Sequence, residues 1–279
     1  MAKVGGPWQG EGACPRQGVA AIPDDALAEM ADDALAGWLA GHAGRALMEL
    51  RRRAADLSSG ELRDQGDRLS HLLLTEALAR LRPGDPVLSE EGADDRTRLG
   101  SPRVWVVDPL DGTREFGELE RTDWAVHVAL VEAGIPVAAA VGLPARGLVI
   151  TTASPPSRPA PPAGPLRLVV SRSHTPPEAA QIAAHLGAVM VRMGSAGAKT
   201  MAVALGEADA YVHLGGQYEW DSAAPVGVAL AAGLRATRID GTPLRYNRPD
   251  PWLPDQVVCR PEIHEAVLEA VRATTSAVA

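Results

Sequence analysis

The sequence predicts a layered sandwich of helices and sheets, α+β in its first half and α/β in its second. Three observations lead there. Apolar residues recur at helical spacing over most of residues 24–81. Short, wholly apolar runs follow, several of them closing on an acidic residue. After a proline-rich stretch at 153–165, short apolar strands alternate with helical patterns. Elements of this kind bury their apolar faces on one another in layers.

The first helical pattern covers 24–57, with Leu27, Met30, Leu35, Trp38, Leu39, Leu47 and Leu50 on its apolar face and acids at its start. Gly41 and Gly44 are expected to weaken or bend it, and Ser58-Ser59-Gly60 to end it. A second helix covers 66–81, with Leu69, Leu72, Leu73 and Leu81 inward and Asp67 in its first turn. Arg82-Pro83-Gly84-Asp85-Pro86 is a breaker. Strands at 87–89, 104–107, 124–131, 137–143 and 148–151 form a meandering sheet, with a turn at Gly134-Ile135-Pro136. Residues 153–165 contain six prolines, which fit neither helix nor central strand and mark a linker or protruding loop. Strands at 166–170, 189–193, 210–214, 234–239 and 256–259 then alternate with helices at 177–186, 196–205, 222–232 and 262–272. The organisation read from this is a disordered extension at 1–23, an α+β half at 24–152, the proline-rich segment, and an α/β half at 166–279.

A chain of 279 residues buries enough surface to fold without disulfide staples. Its two cysteines, Cys14 and Cys259, offer no disulfide framework, which points to a reducing compartment. The most apolar region, 125–144, is interrupted by His127, Glu132, Gly134 and Pro136, too often for a bilayer span. The N-terminal residues lack the apolar stretch of a secretory signal. The cytoplasm is the expected location. A net charge of −8 argues against nucleic-acid polymers and anionic membranes as partners.

The chemistry lies in acids at strand ends. Glu90 and Glu91 follow one strand; Asp108 closes the next, with Asp111 after a Pro-Leu turn, then Gly112 and Thr113. Much later, Trp220-Asp221 opens an apolar helix. Carboxylates alone would repel a phosphate, yet exposed Gly112 and Thr113 amides would attract one. Divalent cations between protein and phosphate reconcile the two, because Mg²⁺ prefers hard oxygen ligands and can acidify a water. Each piece also has an ordinary reading. Glu90-Glu91 suits a solvated turn, DPLDGT a turn with Asp caps, and Asp67 and Asp221 helix starts. Asp108 and Asp111 are spaced D-x-x-D, not the D-x-D of haloacid-dehalogenase phosphatases, and no G-x-x-x-x-G-K-[ST] loop occurs. Of 27 basic residues only Lys3 and Lys199 are lysine, so an ammonium at 199 stands out as a point-charge contact. The histidines show no zinc spacing.

SEEG at 89–92, WVVDPLDGTREF at 105–116 and WDSAAPVGVALAAG at 220–233 resemble the motifs of the inositol monophosphatase superfamily, in that family's order. VVSRSH at 169–174 and GSAGAK at 194–199 are similar to its CysQ-type 3'(2'),5'-bisphosphate nucleotidases, although G-S-S-x-K and DGTxNF are the usual forms there. The resemblance covers nearly everything after residue 24 and implies the layered sandwich of the inositol monophosphatase and sugar phosphatase type. It implies two or three Mg²⁺ ions held by Glu90, Asp108, Asp111, Asp221 and the Leu110 carbonyl, with Asp67 on a weaker ion. Thr113 would orient the attacking water, and Asp67 or Glu90 would take its proton. Gly112 and Thr113 would hold the scissile phosphate. His174, Ser195 and Lys199 would grip the nucleotide and its second phosphate, with Arg172 and Arg245 as weaker candidates.

The activity so implied is Mg²⁺-dependent, lithium-sensitive hydrolysis of 3'-phosphoadenosine 5'-phosphate to AMP and phosphate by direct attack of water. The sulfated nucleotide would be a further substrate and sulfate assimilation the setting. The likeness allows a monomer or a homodimer. Two alternatives stay open from sequence: an inositol-1-phosphate or fructose-1,6-bisphosphate phosphatase, and a non-catalytic metal and phosphate sensor.

Overall fold

The computed structural model describes residues 24–157, 160, 163–173 and 175–275. The expected N-terminal extension, Cys14 and His174 lie outside these residues.

The first helical pattern is interrupted. Helix α1 (Asp24–Ala28) ends early, α2 (Asp32–Arg52) follows, and a short 3-10 turn covers Ala54–Asp56. Arg82 bridges the gap. Its guanidinium donates to the Ala28 carbonyl at 3.0 Å, the Met30 carbonyl at 2.5 Å and Asp32 at 2.9 Å, satisfying carbonyls that the helix end leaves free. Helix α2 runs without a break through Gly41 and Gly44. A Cβ at Gly44 would lie 2.7 Å from the Pro144 ring, so the glycine permits close packing on the turn at Pro144–Arg146.

Ser58 does not end a helix; it begins one. Its hydroxyl accepts the Glu61 amide at 3.2 Å, and Glu61 reaches back to the Ser58 amide at 2.9 Å. Helix α3 therefore runs Ser59–Leu81, and Asp67 lies in its interior, not in its first turn.

Strand β1 (Val87–Ser89) pairs in parallel with β2 (Arg103–Asp111). After the single turn α4 (Thr113–Phe116), strands β3 (Ala125–Glu132), β4 (Ile135–Leu143) and β5 (Leu148–Thr151) add antiparallel, giving the order β1-β2-β3-β4-β5. The second sheet uses β6 (Arg167–Ser171), α5 (Pro177–Leu186), β7 (Val189–Met193), α6 (Ala196–Ala204) and β8 (Ala210–His213). Then come β9 (Gln217–Tyr218), α7 (Glu219–Ala231), β10 (Arg235–Thr237), β11 (Trp252–Leu253), β12 (Gln256–Cys259) and α8 (His264–Thr275). The sheet order is β10-β12-β8-β6-β7, and β9 and β11 form a separate ribbon that the sequence pattern had not revealed. Two residues per strand are too few to show any alternation.

Five layers result. Helices α2 and α3 cover one face of the first sheet; α6 and α7 lie between the sheets; α5 and α8 cover the far face of the second. Trp105 and Val107 of β2 face α2 and α3, whereas Val104 and Val106 face the central helices. Strands covered on both faces read as continuous apolar runs, which is why VWVV shows no polar alternation. None of the described helices is long and apolar enough to cross a membrane.

Candidate active site and metal centre

The β2–β3 ladder explains how two aspartates three residues apart face the same way. Asp108 lies opposite His127 and Asp111 opposite Ala125, so β2 carries one extra residue across that interval. An unbroken strand would send residues three apart to opposite faces; the bulge turns both toward the central layer. Pro109 tolerates the position because a bulged residue needs no ladder donor. Glu90 leaves β1 beside this tip, its amide 3.4 Å from the Val107 carbonyl. Asp221 comes from α7, as the third residue of the helix and not its cap. Its Oδ2 accepts the Tyr218 amide at 2.6 Å. Helix α3 approaches closely at Gly66, where a Cβ would lie 2.6 Å from Phe116 and 2.9 Å from Leu110. That approach brings Asp67 to Thr113, whose hydroxyl lies 3.1 Å from Asp67 Oδ1 and 3.0 Å from the Leu110 carbonyl.

Asp111 is held by the start of α6. Ser195 Oγ and the Gly197 amide donate to its Oδ2 at 2.5 and 2.6 Å, and the Ala196 amide to its Oδ1 at 3.1 Å. Ser195 itself adopts φ +47°, unusual for a non-glycine. Its hydroxyl also caps α6 by accepting the Ala198 amide at 2.9 Å. Gly112, at φ +85°, would place a Cβ 3.1 Å from Ser195, so a side chain there would be strained and would crowd the Ser195 loop.

His127, which its spacing marks only as a core or surface residue, lies within the carboxylate cluster. It is indeed fully buried, but its Nδ1 lies 3.0 Å from the Trp220 carbonyl and its Nε2 3.2 Å from Asp111 Oδ2. Asp108, Asp111 and His127 each place a ligand atom within 4.8 Å of the others. The available signal was a single polar residue inside the apolar strand AVHVALV. Gly197 follows from it, because a Cβ there would sit 2.0 Å from His127 Nε2. Within the departure from G-S-S-x-K, the glycine at 197 thus has a steric reason.

The electrostatics are those of crowded acids. Asp108 is raised well above the carboxylate range by burial, then by Glu90, Asp111 and Asp221, and its Oδ2 has no hydrogen-bond partner. Glu90 is exposed, yet desolvation by its packed surroundings and the Asp221 charge push it up to about 8. Burial and Asp111 raise Asp221 to about 6, and burial with Glu91 raises Asp67 to about 7. Burial would raise Asp111 too, but the adjacent His127 ring, the Lys199 charge and the Ser195 hydroxyl outweigh it and hold the group at about 2. A buried carboxylate oxygen without a donor, among acids that resist ionising together, fits a divalent cation with hard oxygen ligands.

Lys199 is in the site but not at its rim. It is 5% exposed, and its ammonium donates to the Gly194 and Ser195 carbonyls at 3.2 and 2.6 Å. Burial lowers it, against the pull of Asp111 and Asp221. Two of its three donors are used, and it lines a cavity of about 290 Å³ with Asp111, Asp221, Gln217 and Tyr218. Arg172 is engaged elsewhere, with Glu115 at 2.7 Å and Glu118 at 2.9 Å. Arg245 lies beside Gly134, at the β3–β4 turn, the end of the sheet opposite Asp108. Arg245 is thus not placed to grip a ligand at the carboxylates, whereas Arg172 follows Ser171, which lines the cavity.

The profile of the inositol monophosphatase family matches residues 31–276. The chain belongs to that family. It is 49% identical over 246 residues to the 3'-phosphoadenosine 5'-phosphate phosphatase of Mycobacterium leprae, covering 84% of this chain and 91% of that one. It is 32% identical over 235 residues to the 3'(2'),5'-bisphosphate nucleotidase CysQ of Salmonella typhimurium, covering 77% and 94%. Among solved structures, CysQ from Bacteroides thetaiotaomicron superposes with a TM-score of 0.71 at 27% identity, covering 81% and 96%. The family's layered α+β fold is the one described above.

Proposed function

We propose that the chain is a Mg²⁺-dependent phosphatase that hydrolyses 3'-phosphoadenosine 5'-phosphate to AMP and phosphate. The observation that carries the metal-dependent chemistry is Asp108: a fully buried carboxylate with an unpartnered oxygen, beside Asp111, Glu90 and Asp221. The 49% identity to an enzyme of that name supports the choice of substrate. Glu90, Asp108, Asp111, Asp221 and the Leu110 carbonyl would hold the cations, with Asp67 at the edge. When bound, Mg²⁺ supplies positive charge against the phosphoryl oxygens and lowers the pKa of water.

The chain's own residues do the rest. Asp111 is fixed by Ser195, Ala196 and Gly197, so one side of the site is rigid before substrate arrives. The Gly112 and Thr113 amides receive the scissile phosphate, in a backbone turn that favours glycine. Thr113 Oγ1 orients the attacking water, and Asp67, raised to about 7 and 3.1 Å from that hydroxyl, accepts its proton. Lys199 offers its remaining donor to the substrate's second phosphate from the cavity floor. The reaction proceeds in the cytoplasm and clears a by-product of sulfate assimilation.

The test compares phosphate release from 3'-phosphoadenosine 5'-phosphate and from inositol-1-phosphate under Mg²⁺. Preference for the nucleotide supports the reading; preference for the inositol ester rejects it.

A further inference from the structure

Three of the four side-chain carboxylates assigned to the cations come from one edge of the first sheet. Glu90 follows β1, and Asp108 and Asp111 lie on β2, with which β1 pairs in parallel. Asp221 arrives separately, in the first turn of α7. It arrives against repulsion, because the Asp111 charge opposes its own and its charge in turn opposes that of Glu90. The start of α7 therefore needs an anchor outside the carboxylate cluster.

A buried polar network supplies it. Glu219, the first residue of α7, is fully buried and uses both oxygens: Oε2 accepts the Asn247 amide at 2.6 Å and Oε1 the Arg248 amide at 2.9 Å. The Glu219 amide donates to the Pro251 carbonyl at 2.9 Å. On the other side of Asp221 in sequence, the Ser222 hydroxyl lies 2.9 Å from the Tyr246 hydroxyl and donates to the Gln256 side chain at 2.6 Å. The loop at 246–251 thus grips α7 immediately before and after Asp221.

Arg98 ties that loop to the connection between β1 and β2. It sits in the 3-10 turn Arg96–Gly100, and among the described arginines it alone is 0% exposed. Its Nε and Nη2 donate to the two Asp94 oxygens at 2.6 and 2.9 Å. Its Nη1 donates to Asn247 Oδ1 at 2.7 Å and its Nη2 also to the Arg248 carbonyl at 3.0 Å. Asn247 Nδ2 donates back to the Arg98 carbonyl at 3.2 Å, and Arg96 to the Pro249 carbonyl at 3.2 Å. Asn247 holds φ +57°, a left-handed conformation that asparagine tolerates better than most residues. A guanidinium is costly to bury, and the best-attested use of such a group is to fix one register between segments. None of Asp94, Arg98, Glu219 and Asn247 lines the cavity beside the carboxylates.

We infer that Arg98 is a positioning residue for the cation site: through Asn247 and Glu219 it locks the first turn of α7 to the β1–β2 connection and so holds Asp221 against the other acids. It rests on the reading that these acids hold a divalent cation. Groups that orient metal ligands from outside are typically worth about 10–100-fold in metal affinity.

The test measures Mn²⁺ binding to the full chain by electron paramagnetic resonance of the free ion, with folding checked by circular dichroism. Arg98→Lys removes the fork that spans Asp94 and Asn247. Asn247→Gly removes the side-chain tie yet keeps the left-handed backbone accessible. Arg167→Met is the control, because it breaks another buried ion pair, with the fully buried Asp209, at the far end of β6 from the cavity. Arg98→Lys and Asn247→Gly should each weaken Mn²⁺ binding at least about 10-fold, and the control should not. In turnover of 3'-phosphoadenosine 5'-phosphate, the half-saturating Mg²⁺ concentration should rise in both variants, and saturating Mg²⁺ should restore most of kcat. Wild-type Mn²⁺ affinity in folded Asn247→Gly overturns the clamp, whether or not Arg98→Lys folds. An equal loss in Arg167→Met, or a fall in kcat with an unchanged Mg²⁺ requirement, reduces Arg98 to general stability and overturns it too. If the wild type binds no Mn²⁺, the metal-dependent reading itself fails; if it binds and the variants bind alike, the clamp fails alone.

Discussion

Removing the metal should make this protein less stable as the pH rises. Asp221 is raised from its ordinary 3.8 to about 6 by burial and by Asp111. Ionising it in the folded, metal-free chain then costs about 3 kcal/mol more than in the unfolded chain. The folded state binds more protons than the unfolded state across this range. Stability therefore falls as the pH climbs from about 4 through 6. Asp67 at about 7 and Glu90 at about 8 carry the decline further, to about pH 8. For a chain of this size about 3 kcal/mol corresponds to roughly 6–12 °C in Tm. A bound divalent cation stabilises the ionised forms and removes the penalty. Thermal melts at pH 4.0, 5.5, 6.5, 7.5 and 8.5, with EDTA or with saturating Mg²⁺, measure both effects. The Tm with EDTA should drop across the series, and the Mg²⁺-induced rise should grow with pH. A metal-free Tm that is flat over this range, or an Mg²⁺ increment as large at pH 5.5 as at 8.5, would refute the reasoning.

Three further outcomes follow from the same geometry. Asp111→Asn leaves one oxygen where Ser195, Gly197 and Ala196 now donate to two; turnover should fall at least about 100-fold and the Mg²⁺-induced Tm rise should shrink, and unchanged turnover would sink the metal proposal. Gly197→Ala places a methyl against His127 Nε2; it should cost about 1–3 kcal/mol in urea denaturation and weaken Mn²⁺ binding, whereas wild-type values would mean that His127 is not clamped there. Lys199→Ala should raise KM for the nucleotide bisphosphate more than for inositol-1-phosphate, and equal losses would remove the lysine from substrate selection.

Strand and helix identities were readable wherever a run was long enough to show a period. The short apolar runs ending at Ser89 and Asp108 were readable as strands; that their sheet is covered on both faces comes from the packing of the helices. D-P-L-D was legible as a pair of acids, but not as a bulge; the ladder partners His127 and Ala125 supply that. Ser58 misled because a residue that can end one helix can also cap the next, and the deciding partner, Glu61, is three residues on. The role of Ser195 was legible only as a motif position. Its hydroxyl turns inward to Asp111, a contact across 84 residues that no local pattern announces. His127 was hidden for the same reason: its meaning depends on α6 and α7 closing over β3. Arg172 looked available because its partners, Glu115 and Glu118, are more than fifty residues away in sequence.

The central claim is that acids from β1, β2 and α7 meet around a cation that faces a phosphoryl group. A crystal grown with Mn²⁺ and inorganic phosphate tests it directly through anomalous scattering. The account predicts metal density within coordination distance of Glu90, Asp108, Asp111 and Asp221, with phosphate oxygens on the Gly112 and Thr113 amides. Well-ordered phosphate bound elsewhere, with no anomalous density among those four carboxylates, would contradict it.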